Sequence, residues 1–263
     1  MLVSRRPGAL AAWGSAFLAG VESADHTDEA VRDEDAVHRV VGVPGEDTDV
    51  TVAVALGRLR VVGVTALRLV LPEPGDLTGL AGPPATNAAA TAAGSAVLTV
   101  GPFDAPSLAL VPTSVESDRG AVVRWDVMPV ERTVAPHGLP TLAEADRMVA
   151  EAMREATESL DVLDVARGRD EVASRLSGIE HGLRRLDLPA ALPARAQRLV
   201  VTGSRLFAIT LIAAESDGGA VTARTVAERA DLLRPLRRAA RYALCAGYSS
   251  LADPTSGADV TGR

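Results

Sequence analysis

Lysine is missing: all 27 basic residues of this 263-residue chain are arginine. A Schiff-base enzyme needs a lysine amine, and phosphoryl transfer by a P-loop protein or a kinase needs a lysine on the phosphates. Both classes are excluded at once. Cys245 is the only cysteine, so neither an intrachain disulfide nor a multi-thiolate metal site is possible. Its apolar setting, Tyr242-Ala243-Leu244-Cys245-Ala246, predicts a packed thiol and not a nucleophile. Amides and histidines are scarce too, with Asn87, Gln197 and four histidines in all. Aromatics make up 3%, which leaves Ala, Val and Leu to build the core.

Hydrophobic residues reach 47% and charged ones 23%, the balance of a globular chain. The formal net charge of −7 argues against nucleic-acid binding, which wants clustered positive charge. Arg5-Arg6 ahead of the run Ala9–Val21 imitates a signal peptide. Gly14, Ser15 and Gly20 interrupt that run, and Gly20-Val21-Glu22 is a poor cleavage site. The run reads instead as an amphipathic helix burying Leu10, Trp13 and Phe17. The longest uncharged stretch, Leu77–Phe103, is broken by Gly and Pro and is no membrane span. These features together predict a cytoplasmic protein.

The texture of the chain changes near Pro136–Pro140. Ahead of it, helices are expected at about 7–20 and 26–35, and a strand at 38–42. A helix from Asp47 or Asp49 to Arg60 and a strand at 66–71 follow, and then an alanine-rich helix at 85–93. Strands are expected at 96–100, 107–111 and 121–131, the last with Val123, Trp125 and Val127 on one face. The two strand–helix–strand successions suggest parallel pairing on one side of a mixed sheet, and the closing strands suggest antiparallel additions. Behind Pro140, Thr141-Leu-Ala-Glu144 is a capping box. It opens the first of several helices joined by short, proline-marked connections, and Pro235 inside the last should kink or restart it. The fold class is therefore α+β for the N-terminal half, residues 1–135, a mixed sheet with helices. An all-α antiparallel helical bundle follows over 141–248, with a disordered tail at 249–263.

Few groupings could carry chemistry. The Pro/Gly-rich loop 72–87 joins a strand to a helix start, where free amides and a positive dipole end can hold an anion. Its candidate ligand-binding residues are Glu73, Gly75, Asp76, Thr78, Gly79, Gly82 and Asn87. The glycine spacing matches neither a dinucleotide fingerprint nor a Walker loop. Glu73 and Asp76 form the best carboxylate pair for acid–base work, near the carboxyl end of a strand. Arg234, Arg237, Arg238 and Arg241 make a dense basic face that could meet an acidic partner or a second copy of the chain. The acidic run from Asp25 to His38 mixes oxygen and imidazole groups without zincin or EF-hand spacing. A solvated acidic helix accounts for it. His137 falls in the linker and His181 on a helix. No G-x-S-x-G, S-x-x-K or Glu-x-x-His pair occurs, so no catalytic residue, metal ligand or cofactor is assigned.

Four stretches carry a resemblance. They are Arg5-Arg6-Pro7-Gly8-Ala9-Leu10-Ala11-Ala12-Trp13, His38-Arg39-Val40-Val41-Gly42, the turn Leu69–Asp76, and Leu232-Leu233-Arg234-Pro235-Leu236 with Ala246-Gly247-Tyr248. In these the chain resembles a family of uncharacterised proteins of high-GC actinobacteria. The resemblance spans most of the chain, and implies a full-length globular protein without supplying a mechanism. The resulting expectation is a non-catalytic interaction or scaffold protein with a protein partner or self-association, and no nucleic acid or membrane. The alternative is a small-molecule or anion-binding protein or enzyme using loop 72–87.

Overall fold

A computed structural model describes residues 5–131, 138–160, 169–215 and 223–253. The N-terminal half contains α1 (Arg5–Leu18), α2 (Ala24–Arg32), β1 (Val37–Val41), α3 (Val52–Val61) and β2 (Ala66–Val70). It continues with α4 (Pro84–Ala93), β3 (Ala96–Val100), β4 (Leu108–Val115) and β5 (Val122–Pro129). The strands form one mixed sheet in the order β1-β5-β4-β3-β2. The C-terminal half is helical: α5 (Leu142–Leu160), α6 (Arg169–Arg184), α7 (Ala194–Glu215) and α8 (Ala223–Tyr248), ending in a 3-10 turn at Ser250–Ala252.

The pairing differs from the expected parallel crossovers. β2, β3, β4 and β5 run as an antiparallel series, with α4 inserted between β2 and β3. Among the described strands the one parallel pair is β1 with β5, which join across most of the domain. Strand–helix–strand order permits a parallel pair but does not require one. A helix that turns back over one face returns the chain antiparallel equally well.

The inner sheet face buries Val40, Leu67, Leu69, Val97, Leu110, Val123 and Trp125, in one apolar cluster that continues through Leu10 and Trp13 to Val149, Leu199, Val200, Ala243 and Leu244. Both halves of the chain thus share one core. α1 lies inside it. The expected one-sided helix buries Ala11, Ala12, Gly14, Ser15 and Ala16 as well as Leu10 and Trp13, while Phe17 is only half-buried. Small side chains allow this close approach on every side. A Cβ on Gly8 would sit 2.5 Å from the Tyr248 ring, and one on Gly14 would sit 2.5 Å from Leu67 Cδ1.

α8 is the central helix of the C-terminal half, packed against α5 and α7, with α6 on α7. It also reaches β2 and α1, and runs unbroken across Pro235. The capping box forms as expected: the Thr141 amide donates to Glu144 Oε2 at 2.9 Å, and the Glu144 amide to Thr141 Oγ1 at 3.3 Å. For α3 the cap is Thr51, not Asp47 or Asp49. The segment 249–253, expected within a disordered tail, is packed: Ser249 and Ser250 are buried and Asp253 pairs with Arg68 at 2.7 Å. Residues 254–263 lie outside the described residues. Among the described residues one helical stretch, Ala194–Ala214 in α7, is long and apolar enough to cross a membrane, and 56% of it is buried within the protein.

Edge strand β2 explains why 249–253 is held. Its outer backbone groups would stand unpaired in the interior, which is costly. Ser15 Oγ accepts from the Leu67 amide at 2.9 Å and donates to its carbonyl at 3.1 Å. Ser249 Oγ accepts from the Leu69 amide at 2.9 Å, and Arg241 Nε donates to the Leu71 carbonyl at 2.8 Å. Side chains from α1, α8 and the chain's last described turn complete the strand.

Candidate functional site

The two groups singled out in the sequence meet each other. Loop 72–87 leaves β2 directly beneath α8, and its carboxylates face the arginines of that helix. Glu73 receives Arg237 Nε at 2.6 Å and Arg241 Nη1 at 3.0 Å. Asp76 lies 3.3 Å from Arg241 Nη1 and 3.7 Å from Arg238 Nε. Tyr242 donates its hydroxyl towards Asp76 Oδ2 at 3.2 Å, or to Thr78 Oγ1 at 3.0 Å. The Thr78 hydroxyl donates to Asp76 Oδ1 at 2.7 Å. Helical spacing places Arg237, Arg238, Arg241 and Tyr242 on one side of α8.

Arg241 is the centre of this arrangement. Its side chain is 4% exposed, and three acceptors surround it: the Leu71 carbonyl, Glu73 and Asp76. Arg237 lies over the Phe207 ring at 5.5 Å, and Arg238 over the Tyr242 ring at 5.1 Å. Arg234 is outside the group: it pairs with Asp231, both well exposed.

The other loop residues shape this clamp. Gly75 has φ +86° in the turn where Glu73 and Asp76 exchange backbone hydrogen bonds. Gly79 is buried, with room for no side chain between Val70 and Leu139. The Gly82 amide donates to Asn87 Oδ1 at 3.0 Å. Prolines 83 and 84 begin α4, so its first positions have no N–H to offer an anion.

Burial would raise the Asp76 carboxyl, but hydrogen bonds from the Thr78 hydroxyl and amide, the Arg241 charge and the Tyr242 hydroxyl outweigh it. The group is held below the ordinary carboxylate range. A carboxylate so stabilised is a poor base near neutral pH. Cys245 lies nearby and is buried, which pushes its thiol up to about 12 and leaves it unreactive.

A second polar cluster escaped the sequence reading. Arg6 of α1 grips Asp35 through Nε and Nη2, both at 2.7 Å. His38 of β1 bonds Asp35 through Nε2 at 2.9 Å, and Trp125 of β5 donates from its indole nitrogen to His38 Nδ1 at 3.3 Å. The signal was the alternation of β1: His38 shares the face of Val40, and that face turns inward. A guanidinium on both oxygens of Asp35 gives this end of the acidic run its counter-charge. His26, further back in that run, is exposed and bonds the half-buried Glu22 at 2.9 Å. His181 is exposed, and His137 lies outside the described residues.

The N-terminal domain of Rv1486c-like proteins matches residues 8–141, and their C-terminal domain matches residues 143–245. The chain belongs to the Rv1486c-like family. The uncharacterized protein Rv1486c of Mycobacterium tuberculosis strain ATCC 25618 / H37Rv is 28% identical over 278 residues, covering 92% of this chain and 95% of the relative. The uncharacterized protein MT1533 of M. tuberculosis strain CDC 1551 / Oshkosh is similar to the same extent, 28% over 278 residues. No solved structure matches. The junction between the two family domains falls beside the Thr141 cap of α5. The clamp crosses it, with carboxylates from the first family domain and arginines from the second.

Proposed function

We propose that this Rv1486c-like chain is a non-catalytic cytoplasmic interaction protein whose partner, a protein or a second copy, covers the open half of its sheet. One observation carries the reading. α4 shields the outer sheet face only over β2, β3 and the start of β4, where Val70, Ala90, Ala96, Ala109 and Val111 are buried. Beyond it, among the described residues, Arg39, Val115, Val122 and Arg124 of that face are exposed. Val37, Val122 and Val115 lie in one register row across β1, β5 and β4. Val122 is 41% exposed and Val115 71%. Val37 beside them is half-buried, and the two exposed valines are apolar surface of the kind that partners cover.

Arg39 and Arg124 form the adjoining row, directly opposite one another across β1 and β5. Like charges so placed repel, and acids offset them: Asp49 pairs with Arg39 and Asp126 with Arg124, and the Asp49 charge reaches Arg124 as well. The face mixes apolar and charged groups as interface rims do. The net charge of −7 supports a protein over a nucleic acid as partner. The cytoplasmic assignment draws on the lone, unreactive Cys245.

The alternative, a small-molecule or anion site in loop 72–87, draws less support, because Glu73, Asp76, Thr78 and Asn87 are already engaged with α8 or with the loop itself. Size-exclusion with light scattering, and retention of partners on immobilised protein, test the reading. The double variant Val115→Asp with Val122→Asp should lose the association while its melting temperature holds. Wild-type protein that is monomeric and retains nothing, or a double variant that binds as before, would overturn it. A thermal-shift response to phosphates or carboxylates that Asp76→Ala removes would favour the loop instead.

A further inference from the structure

The cluster of Arg6, Asp35, His38 and Trp125 has an arrangement of donors and acceptors that only one protonation state can satisfy. An indole N–H donates and cannot accept. His38 Nδ1 must therefore be the acceptor for Trp125, 3.3 Å away. The single proton of the neutral ring then sits on Nε2 and is donated to Asp35 Oδ2 at 2.9 Å. Both ring nitrogens are used, and the side chain is 2% exposed, so no solvent can mediate a different arrangement. Adding a proton at Nδ1 sets two N–H groups against each other with no acceptor between them. The ring must turn, or the strands must part.

We propose that Arg6, Asp35, His38 and Trp125 form an acid-sensitive latch, which holds β1 and the first turn of α1 against β5 while His38 is neutral and loosens them when it is protonated. The inference is independent of the interaction reading. Three elements converge on the latch. Arg6 belongs to α1, His38 to edge strand β1 and Trp125 to β5, while Asp35 lies in the turn entering β1. Beyond the latch, β1 holds its place through the parallel ladder to β5, the Val40–Val50 bridge on its outer edge, the exposed Arg39–Asp49 pair and packing against α3. An edge strand laddered on one side only is among the elements readiest to open locally.

The charges around the imidazole oppose one another. Asp35 and, from α2, Asp28 favour the protonated ring, whereas Arg6 disfavours it. Glu116, on the loop between β4 and β5, faces Arg6 at 3.6 Å and is well exposed. Trp125 brings no charge. Burial is the largest influence and, with Arg6, holds His38 below its ordinary value of 6.5. The neutral, latched form is therefore the one present at neutral pH.

Nuclear magnetic resonance on the full chain tests this between about pH 8 and pH 5, the range in which histidines change charge. The Trp125 indole N–H resonance should move in a single step with its midpoint below 6.5. As the pH falls from 6.5 through that step, amide exchange across Val37–Val41, corrected for its intrinsic pH dependence, should quicken relative to α7 and α8, by at most about tenfold per pH unit. His38→Gln should abolish both changes. If that variant does not fold, Trp125→Phe decides: without the opposing N–H the His38 midpoint should rise. A Trp125 resonance without a step, β1 exchange that follows α7 and α8 throughout, a step retained in His38→Gln, or a midpoint unmoved by Trp125→Phe would each overturn the latch.

Discussion

The clamp between loop 71–78 and α8 and the latch between α1, β1 and β5 both set arginine against a half-buried acid, yet they respond to different conditions. The clamp contains no histidine: it sets Arg237, Arg238 and Arg241 against Glu73 and Asp76. It joins the two family domains and completes the backbone of β2 through the Leu71 carbonyl. The latch joins Arg6, just ahead of the first family domain, to Asp35, His38 and Trp125 within it, and so includes a histidine, the one side chain whose charge changes near neutrality. The first is a permanent fastening and the second a conditional one. Arginine suits both, since its fork can hold a carboxylate and a carbonyl at once and cannot be deprotonated.

The sharpest way to break this contrast is Arg241→Ala. It leaves the Leu71 carbonyl without its donor and takes one arginine from Glu73 and Asp76, at a site where the guanidinium is now 4% exposed, and should destabilise the chain by about 3–5 kcal/mol, the usual result of removing one partner from a buried pair. Thermal or urea unfolding measures it. Asp35→Asn should cost less, roughly 1–3 kcal/mol, because the amide oxygen still accepts while the charge is lost. If Asp35→Asn proves the more damaging, the latch and not the clamp is the main fastening.

The smallest effect separates the two clusters by pH. His38 is held below 6.5, so the unfolded chain takes up protons first as the pH falls, and stability declines from about that value down through the folded midpoint. Asp35 and Asp76 are held below 3.8, so their contribution is intact above that value and is lost only as the pH falls beneath it. Unfolding midpoints should therefore sag in two stages. The His38→Gln chain should lose the first stage and keep the second. A wild-type profile flat down to about 4 would erase the distinction.

The fold was legible wherever local rules act alone. The cap at Thr141 and Glu144, the strand 96–100 and the α+β class all follow from side-chain spacing over a few residues. Strand order was not legible, since the pairing of β1 with β5 joins residues 85 positions apart, Val37 with Val122. Burial of α1 on all sides was hidden as well: glycine and alanine look weakly apolar in sequence, and become a close-packing surface only when Tyr248 and Leu67 arrive. Within the clamp, every charged member was visible as a separate feature, the acidic turn and the basic helix. Nothing local tied Glu73 to Arg237, 164 residues later. Tyr242 was noticed only as a neighbour of Cys245, although its position four residues after Arg238 already placed it on the same helix face.

By itself the sequence determined which chemistry is out of reach and which segments become helix or strand, because composition and short-range periodicity are properties of the chain alone. Whether an exposed-looking arginine faces a partner or an acid of its own molecule was decided by the tertiary structure. Charge acts through space, and only folding sets the distance and the solvent between Arg241 and Asp76 or between Trp125 and His38.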